Sequence, residues 1–238
     1  MIQYHCFDNL VTNESLEAII KGLNPQSKDS ILAICGSGDQ AFAIIEKTNK
    51  ITVVDNRACE IQYFLKRKSL LESEEFEKFL NSEIEPRDNR ERYSLKIRNK
   101  YFSIERLKRI RLRLKKSEIK TIFDDIFNLR FIKGEFNKIY LSNALPYGYF
   151  GKKCIEEIGG KLQIIAEVLP KKGLIYCSYS QGITQPPVGY DYAKDGNSLL
   201  NSLGLRINSE LTAKAQKLQF KFEEPYWCWN PVVLQKAD

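Results

Sequence analysis

The segment Ile31-Leu-Ala-Ile-Cys-Gly-Ser-Gly-Asp-Gln-Ala-Phe42, followed by Ile51-Thr-Val-Val-Asp55-Asn56, limits what this chain can fold into more than any other part of it. Four apolar residues in a row, Ile31 to Ile34, predict a strand buried on both faces. Gly36 and Gly38 let the backbone turn sharply and come close to a ligand, because neither carries a Cβ. Ala41-Phe-Ala-Ile-Ile45 then opens a helix, Ile51 to Val54 gives a second buried strand, and Asp55 stands at that strand's carboxyl end. The spacing fits one βαβ unit, which commits the chain to an α/β architecture. An acid in this place accepts hydrogen bonds from the two hydroxyls of a ribose. The candidate cofactor-binding residues are therefore Cys35, Gly36, Ser37, Gly38, Asp39, Gln40, Asp55 and Asn56. As a bare pattern, Gly36-x-Gly38-x-x-Ala41 with an acid 17 residues after Gly38 also satisfies the dinucleotide fingerprint. Taken alone it leaves nicotinamide cofactors and S-adenosylmethionine both open, beside a tight turn that binds nothing.

The 238 residues suffice for one large core, so the expectation is a single domain over 1–238. No apolar run approaches the ~20 residues of a membrane span. The start, Met1-Ile-Gln-Tyr-His-Cys, lacks the layout of a signal peptide. Both point to a soluble, cytoplasmic protein. Six scattered cysteines without a Cys-x-x-Cys pair predict free thiols and no metal site. With His5 as the only histidine, neither a histidine-dependent triad nor a multi-histidine metal centre is expected.

The net charge of +7 is uneven. Between Lys96 and Lys120 stand eleven Lys and Arg against Glu105 and Glu118, a local excess of +9 that exceeds the whole chain's surplus. The apolar positions of Ile104 to Leu114 approximate helical spacing, so this segment predicts a basic helix with one packed face. Its other face is either a solvated surface or a contact for a polyanion, whether nucleic acid, anionic lipid headgroups or an acidic small molecule.

Along the chain, Asn13 to Gly22 predicts an entry helix capped by Thr12 or Asn13 and closed by Gly22 just past its end. Cys59 to Leu71 continues as a helix. Residues 72–120 form a charged, mostly helical insertion with a turn at Glu85-Pro-Arg-Asp. Strands are expected at Thr121–Phe123, Lys138–Leu141 and Leu174–Tyr179, with a helix over 155–169. A closing pair is expected from Lys217–Phe222 and Pro231–Gln235. Alternating βα units ending in such a pair predict a Rossmann-like, seven-stranded, mostly parallel sheet with an antiparallel last strand.

With the glycine turn, Asp55, Asp124-Asp125-Ile126 after a third short strand, and Tyr140-Leu-Ser-Asn-Ala-Leu-Pro-Tyr147 at the end of a fourth, the chain resembles the class I S-adenosylmethionine-dependent transferases. That resemblance favours S-adenosylmethionine over a nicotinamide cofactor. It implies that Asp125 holds the adenine amino group, that Ile126 covers the ring face, and that Ser142 belongs to the cofactor contacts. The chain departs from ordinary methyltransferases by having Ala33, Cys35, Ser37 and Asp39 where an acid and three glycines are usual. In this respect it is similar to the betaine-lipid family, which moves a 3-amino-3-carboxypropyl group to diacylglycerol. That similarity spans roughly residues 1–150.

For either transfer the sulfonium is the leaving group, so the protein needs chiefly to hold a nucleophile in line and sometimes to take its proton. Asn143 and Tyr147 are the candidate catalytic residues: the amide of Asn143 orients an acceptor, and Tyr147 packs against it or relays a proton. The acceptor is a small molecule, a lipid or an RNA. The alternative function is a catalytically silent module on the same fold that binds S-adenosylmethionine or RNA.

Overall fold

The computed structural model describes residues 11–12, 14–81, 89–128, 136–142, 144–145, 152–180, 198–219 and 229–238. Its seven strands lie in one sheet in the order β3-β2-β1-β4-β5-β7-β6. They are β1 (Ser30–Ile34), β2 (Lys50–Asp55), β3 (Glu118–Phe123), β4 (Lys138–Ser142), β5 (Leu174–Ser180), β6 (Leu205–Ile207) and β7 (Trp229–Lys236). By packing, the chain divides into two compact units, 1–16 with 25–126, and 17–24 with 127–238.

In the first unit β1, β2 and β3 run parallel, with Ile31 opposite Ile51 and Val53 opposite Thr121. The central residues of β1 and β2 are fully enclosed, as expected for strands covered on both faces. Strand β3 starts at Glu118, three residues before the expected Thr121. It is far more exposed than its neighbours, and Phe123 at its end is 66% exposed. Glu118 and Lys120, which pair at 3.1 Å, place charge along this strand.

The helices of this unit are α2 (Asp39–Ile45), α3 (Ala58–Glu72), α4 (Phe76–Leu80), α5 (Asn89–Tyr101) and α6 (Ile104–Leu114), following α1 (Leu16–Leu23) in chain order. The expected turn at 85–88 lies outside the described residues. A row of rings ties residues 79 and 102 to the helices that cover the strands. Phe42 stacks on Phe64 at 4.9 Å, meets Phe79 edge-on at 5.2 Å, and Phe79 in turn meets Phe102 at 5.6 Å. Such pairs add ~0.5–1.5 kcal/mol each beyond the area they bury. Ser103 caps α6 by accepting from the Arg106 N–H, and Leu107, Ile110 and Leu114 form its packed stripe. Leu112, counted with the apolar stripe on spacing, is 56% exposed instead.

In the second unit β4 and β5 are parallel, and β7 runs antiparallel to both β5 and β6. Helices α1, α7 (Lys152–Val168) and α8 (Ser209–Leu218) belong to it, with a short helical turn at 198–202. Two expectations need correction here. Gly22 is not the stop of α1 but lies within it, because a Cβ there would come within 2.7 Å of the Tyr176 ring; Asn24 takes the left-handed conformation instead, at φ 47°. Lys217 and Leu218 are the end of α8 rather than the start of a strand, and the partner of β7 is β6. The alternation that suggested a strand is overridden by a capped helix start, in which the Asn208 side chain accepts from the Leu211 N–H at 3.0 Å. Residues 220–222 lie outside the described part.

Among the described residues, no helix is long and apolar enough to cross a membrane, and no cluster of His, Cys, Asp and Glu is arranged to hold a metal ion.

Candidate cofactor site

The turn between β1 and α2 is built from two glycines in the left-handed region, Gly36 at φ 45° and Gly38 at φ 77°. Gly38 is required twice over, since a Cβ would also lie 2.8 Å from the Phe64 ring. The Gly38 N–H donates to the Cys35 carbonyl at 2.7 Å, closing the turn. Across from it, at the carboxyl end of β2, Asp55 receives one backbone N–H on each oxygen, from Gly36 at 3.0 Å and from Arg57 at 3.0 Å. These bonds aim the carboxylate. A carboxylate has about four lone-pair sites, so two acceptor directions remain for a diol. The acid is only partly enclosed. Burial raises its pKa, against the pull of the Gly36 and Arg57 N–H groups and the Arg57 charge.

The ends of β2 and β3 are joined by the Asp124 N–H, which donates to the Asp55 carbonyl at 3.1 Å. This brings Asp125-Ile126 to the same sheet end as Asp55 and the exposed Asn56. Asp125 is exposed, whereas Ile126 is 4% exposed, so of the two only Asp125 presents its side chain outward.

Four of the expected contact residues turn their side chains into the protein. Cys35 is fully buried, and its thiol faces the Glu60 carbonyl at 3.5 Å. Burial above all, then the Asp55 and Glu60 charges, pushes that thiol far up, so it stays protonated. Ser37 and Gln40 are buried as well, with the Ser37 hydroxyl donating to Asp39 Oδ2 at 3.0 Å and Gln40 Oε1 3.4 Å from it. Asp39 has no exposure at all. Its Oδ2 also accepts the Thr12 N–H at 3.0 Å, and its Oδ1 lies 2.7 Å from Arg67 Nη2 and 4.0 Å from Arg98 Nε. The Asp39 carboxylate is thus consumed within the protein. The cradle's outer surface is left to glycine backbone, Asp55, Asn56 and Asp125.

Spacing did not identify Arg67 and Arg98. Arg67 Nη1 donates to the Ser37 carbonyl at 2.8 Å, and its guanidinium lies over the rings of Phe79, Phe42 and Tyr63 at 4.2, 5.3 and 5.5 Å. Arg98 donates to the carbonyls of Phe79 and Leu80, and burial lowers its pKa against the Asp39 charge. A signal was present: Glu60, Phe64, Arg67 and Leu71 fall on one buried stripe of α3, which puts an arginine where an apolar residue is usual.

In the second unit, β4 ends in a strained turn. The register with β5 shifts between Tyr140 and Ser142, and Ser142 adopts φ 50°, a region non-glycine residues avoid. The Ala144 N–H returns to the Leu141 carbonyl at 3.0 Å, and Lys161 on α7 donates to the Ala144 carbonyl at 3.2 Å. Asn143, Tyr147 and the loop 181–190 lie outside the described residues.

No protein-family model matches this chain, and no curated protein does. Solved structures do. It is similar to the N-methyltransferase NodS from Bradyrhizobium japonicum WM9, with S-adenosyl-l-homocysteine bound, at TM-score 0.53 and 12% identity, covering 99% of this chain and 92% of that one. The fold is that of the class I S-adenosylmethionine-dependent methyltransferases. Magnesium protoporphyrin IX methyltransferase from Synechocystis PCC 6803, with its cofactor bound, matches at TM-score 0.51 and 9% identity over 92% of this chain and 74% of that one. The [4+2]-cyclase SpnF matches as well, at 0.52 and 10% over 93% and 79%. Identities this low speak for the fold alone, and a cyclase among the neighbours makes the same point.

Proposed function

We propose that this chain binds S-adenosylmethionine at the turn between β1 and β2 and transfers a group from it to an acceptor, acting as one cofactor-binding domain. The observation that carries the reading is Asp55, fixed by the N–H groups of Gly36 and Arg57 with acceptor directions to spare. Ligands of open α/β sheets bind outside the carboxyl ends of the strands, which is where Asp55 stands. In this reading Asp55 takes the ribose hydroxyls, the backbone of Gly36 to Gly38 lies along the amino-acid part, and Asp125 receives the adenine amino group. Cys35, Ser37, Asp39 and Gln40 serve through their backbone or by shaping the turn. The cofactor, when bound, supplies an activated carbon and a neutral thioether leaving group.

In the same reading Ser142 belongs to the cofactor contacts and Asn143 and Tyr147 orient the acceptor; the positive φ of Ser142 is what supports a functional bend at the end of β4. Both methyl and 3-amino-3-carboxypropyl transfer fit this arrangement. Incubation with S-adenosylmethionine and candidate acceptors, read by mass spectrometry, separates them. S-adenosylhomocysteine marks the first and methylthioadenosine the second; a protein that fails to bind the cofactor in calorimetry refutes both.

A second reading has one observation in its favour. On α5 and just past the end of α6, Lys96, Lys100, Lys115 and Lys116 are exposed and have no ion pair among the described residues, whereas the arginines of α6 are engaged within the protein. This lysine surface favours a polyanion such as RNA, either as the acceptor or as the sole partner of a catalytically silent module.

A further inference from the structure

The Ser37 carbonyl and hydroxyl, on the inner side of the glycine turn, both converge on one buried ion pair. The Ser37 carbonyl accepts from Arg67 Nη1 at 2.8 Å, and the Ser37 hydroxyl donates to Asp39 Oδ2 at 3.0 Å. That same oxygen takes the Thr12 N–H, which draws the segment before α1 against the turn, while Arg67 Nη2 stands 2.7 Å from Asp39 Oδ1. Side-chain exposure is 2% for Arg67 and zero for Asp39.

We propose that Arg67 and Asp39 are positioning residues, which set the shape of the turn in advance of the cofactor by fixing the peptide between Ser37 and Gly38. This rests on the cofactor reading given above. The peptide in question joins Ser37 to Gly38, which holds a positive φ as Gly36 does, and a glycine leaves the linkage beside it freer to rotate than any other residue. An external clamp supplies what the glycines cannot supply themselves. Arg67 is suited to the task because its planar fork donates to a carbonyl with one arm while the other faces a carboxylate, which the point charge of a lysine cannot do in one geometry. The face of the fork is held by the Phe79 ring, 4.2 Å from the guanidinium carbon.

Stability alone does not call for this pair. Removing two charges from water consumes about what their attraction returns, and well-packed apolar residues of similar volume commonly do as well. What such residues would not do is hold the Ser37 carbonyl and the Thr12 N–H in place. With the peptide fixed, the Gly36 N–H points at Asp55 before any ligand arrives, and the ordering entropy of the turn is not charged against binding.

The test is the double variant R67M/D39N. It removes both members of the Arg67–Asp39 pair together, leaves Arg98 the Phe79 and Leu80 carbonyls to which it donates, and keeps an acceptor for Thr12 and the Ser37 hydroxyl, but it removes the clamp on the Ser37 carbonyl. Three measurements are made on the full chain: the melting temperature, S-adenosylhomocysteine affinity by calorimetry, and hydrogen exchange of the free protein. The expected result is a melting point within a few degrees of the wild type. Amide exchange at Gly36 to Gln40 rises at least tenfold with that in β1 and β2 unchanged, and affinity falls at least tenfold. Unchanged exchange at the turn overturns the proposal whether or not the cofactor binds. Wild type that shows no S-adenosylhomocysteine affinity refutes the cofactor reading, and an affinity within twofold of wild type in a variant with loosened exchange refutes the link between them. Should the double variant fail to fold, R67K carries the same measurements, since it keeps the charge facing Asp39 while losing the two-way bond; tight turn exchange and full affinity in R67K overturn the proposal.

Discussion

The first unit contains two concentrations of charge that use arginine in opposite ways. Around Asp39 the guanidiniums of Arg67 and Arg98 are enclosed and bonded to carbonyls, and that of Arg67 is also stacked on rings. Along α6 the arginines reach sideways to the ends of neighbouring helices: Arg106 and Arg109 to Glu46 at 3.3 Å each, Arg111 to Glu74 at 2.7 Å and to the Glu72 carbonyl, and Arg113 to Asn49. Glu46 is the C-cap of α2, and Glu72 closes α3. These cations therefore also meet the negative ends of two helix dipoles. The same side chain fixes backbone where water is absent and trims helix ends where water is present. In the second setting, screening leaves each pair with little of its Coulomb energy.

The largest effect should come from breaking the interior cluster on one side. R67M leaves Asp39 buried with only the more distant Arg98, 4.0 Å away, facing it, and urea unfolding should show a loss of about 3–5 kcal/mol. R109M, on a side chain 56% exposed, should lose no more than about 1 kcal/mol. Equal losses would abolish the distinction.

Next in size is Asp55. A carboxylate accepting two hydroxyls is worth about 1.5–3 kcal/mol, so D55A should bind S-adenosylhomocysteine roughly ten- to a hundredfold more weakly in calorimetry while keeping its fold. The acid also leaves a pH signature. Its folded pKa is raised by burial, so the folded state holds this proton more tightly than the unfolded chain does. Its contribution to stability is complete below the unfolded value near 3.8, and it is lost as pH climbs through the higher folded value. Melting points of wild type and D55N measured across that interval should diverge in this sense; parallel curves would mean the acid is not buried as described.

The lysine surface comes third. Lys100, Lys115 and Lys116 replaced together by Gln should flatten the dependence of RNA affinity on salt by a slope of about 2–3, while cofactor affinity stays within twofold. A wild type indifferent to RNA at low ionic strength would leave these lysines as solvated cover. The smallest effect sharpens the opening contrast. Between low and high salt the stability difference between wild type and R109M should shrink by a few tenths of a kcal/mol, about the scale of such pairs, whereas that of R67M should hold steady because its charges are shielded by protein rather than by ions.

Local signals carried most of the fold. The run Ile31–Ile34, the two glycines and Asp55 lie within 25 residues and specify their own turn, so β1, α2 and β2 were legible to within two residues. The long polar stretch 72–120 was legible as helical, but the start of β3 was not, since Glu118 and Lys120 have the polarity of the segment before them and only pairing with β2 makes them a strand. The end of α8 was not legible, because alternation from Lys217 is weaker than the side-chain cap at Asn208, nine residues earlier. In the site, Asp55 could be read from its place after a strand. The true employment of Asp39 could not, because its partners Arg67 and Arg98 are 28 and 59 residues away and only folding brings them together.

The ring row from Phe42 through Phe64 and Phe79 to Phe102 has a consequence for any attempt to shorten this chain. Phe79 and Phe102 both come from within 76–114, and Phe79 is the ring on which the Arg67 guanidinium rests. Excising 76–114 would strip one wall from the glycine turn itself, so no shortened version should retain that loop intact.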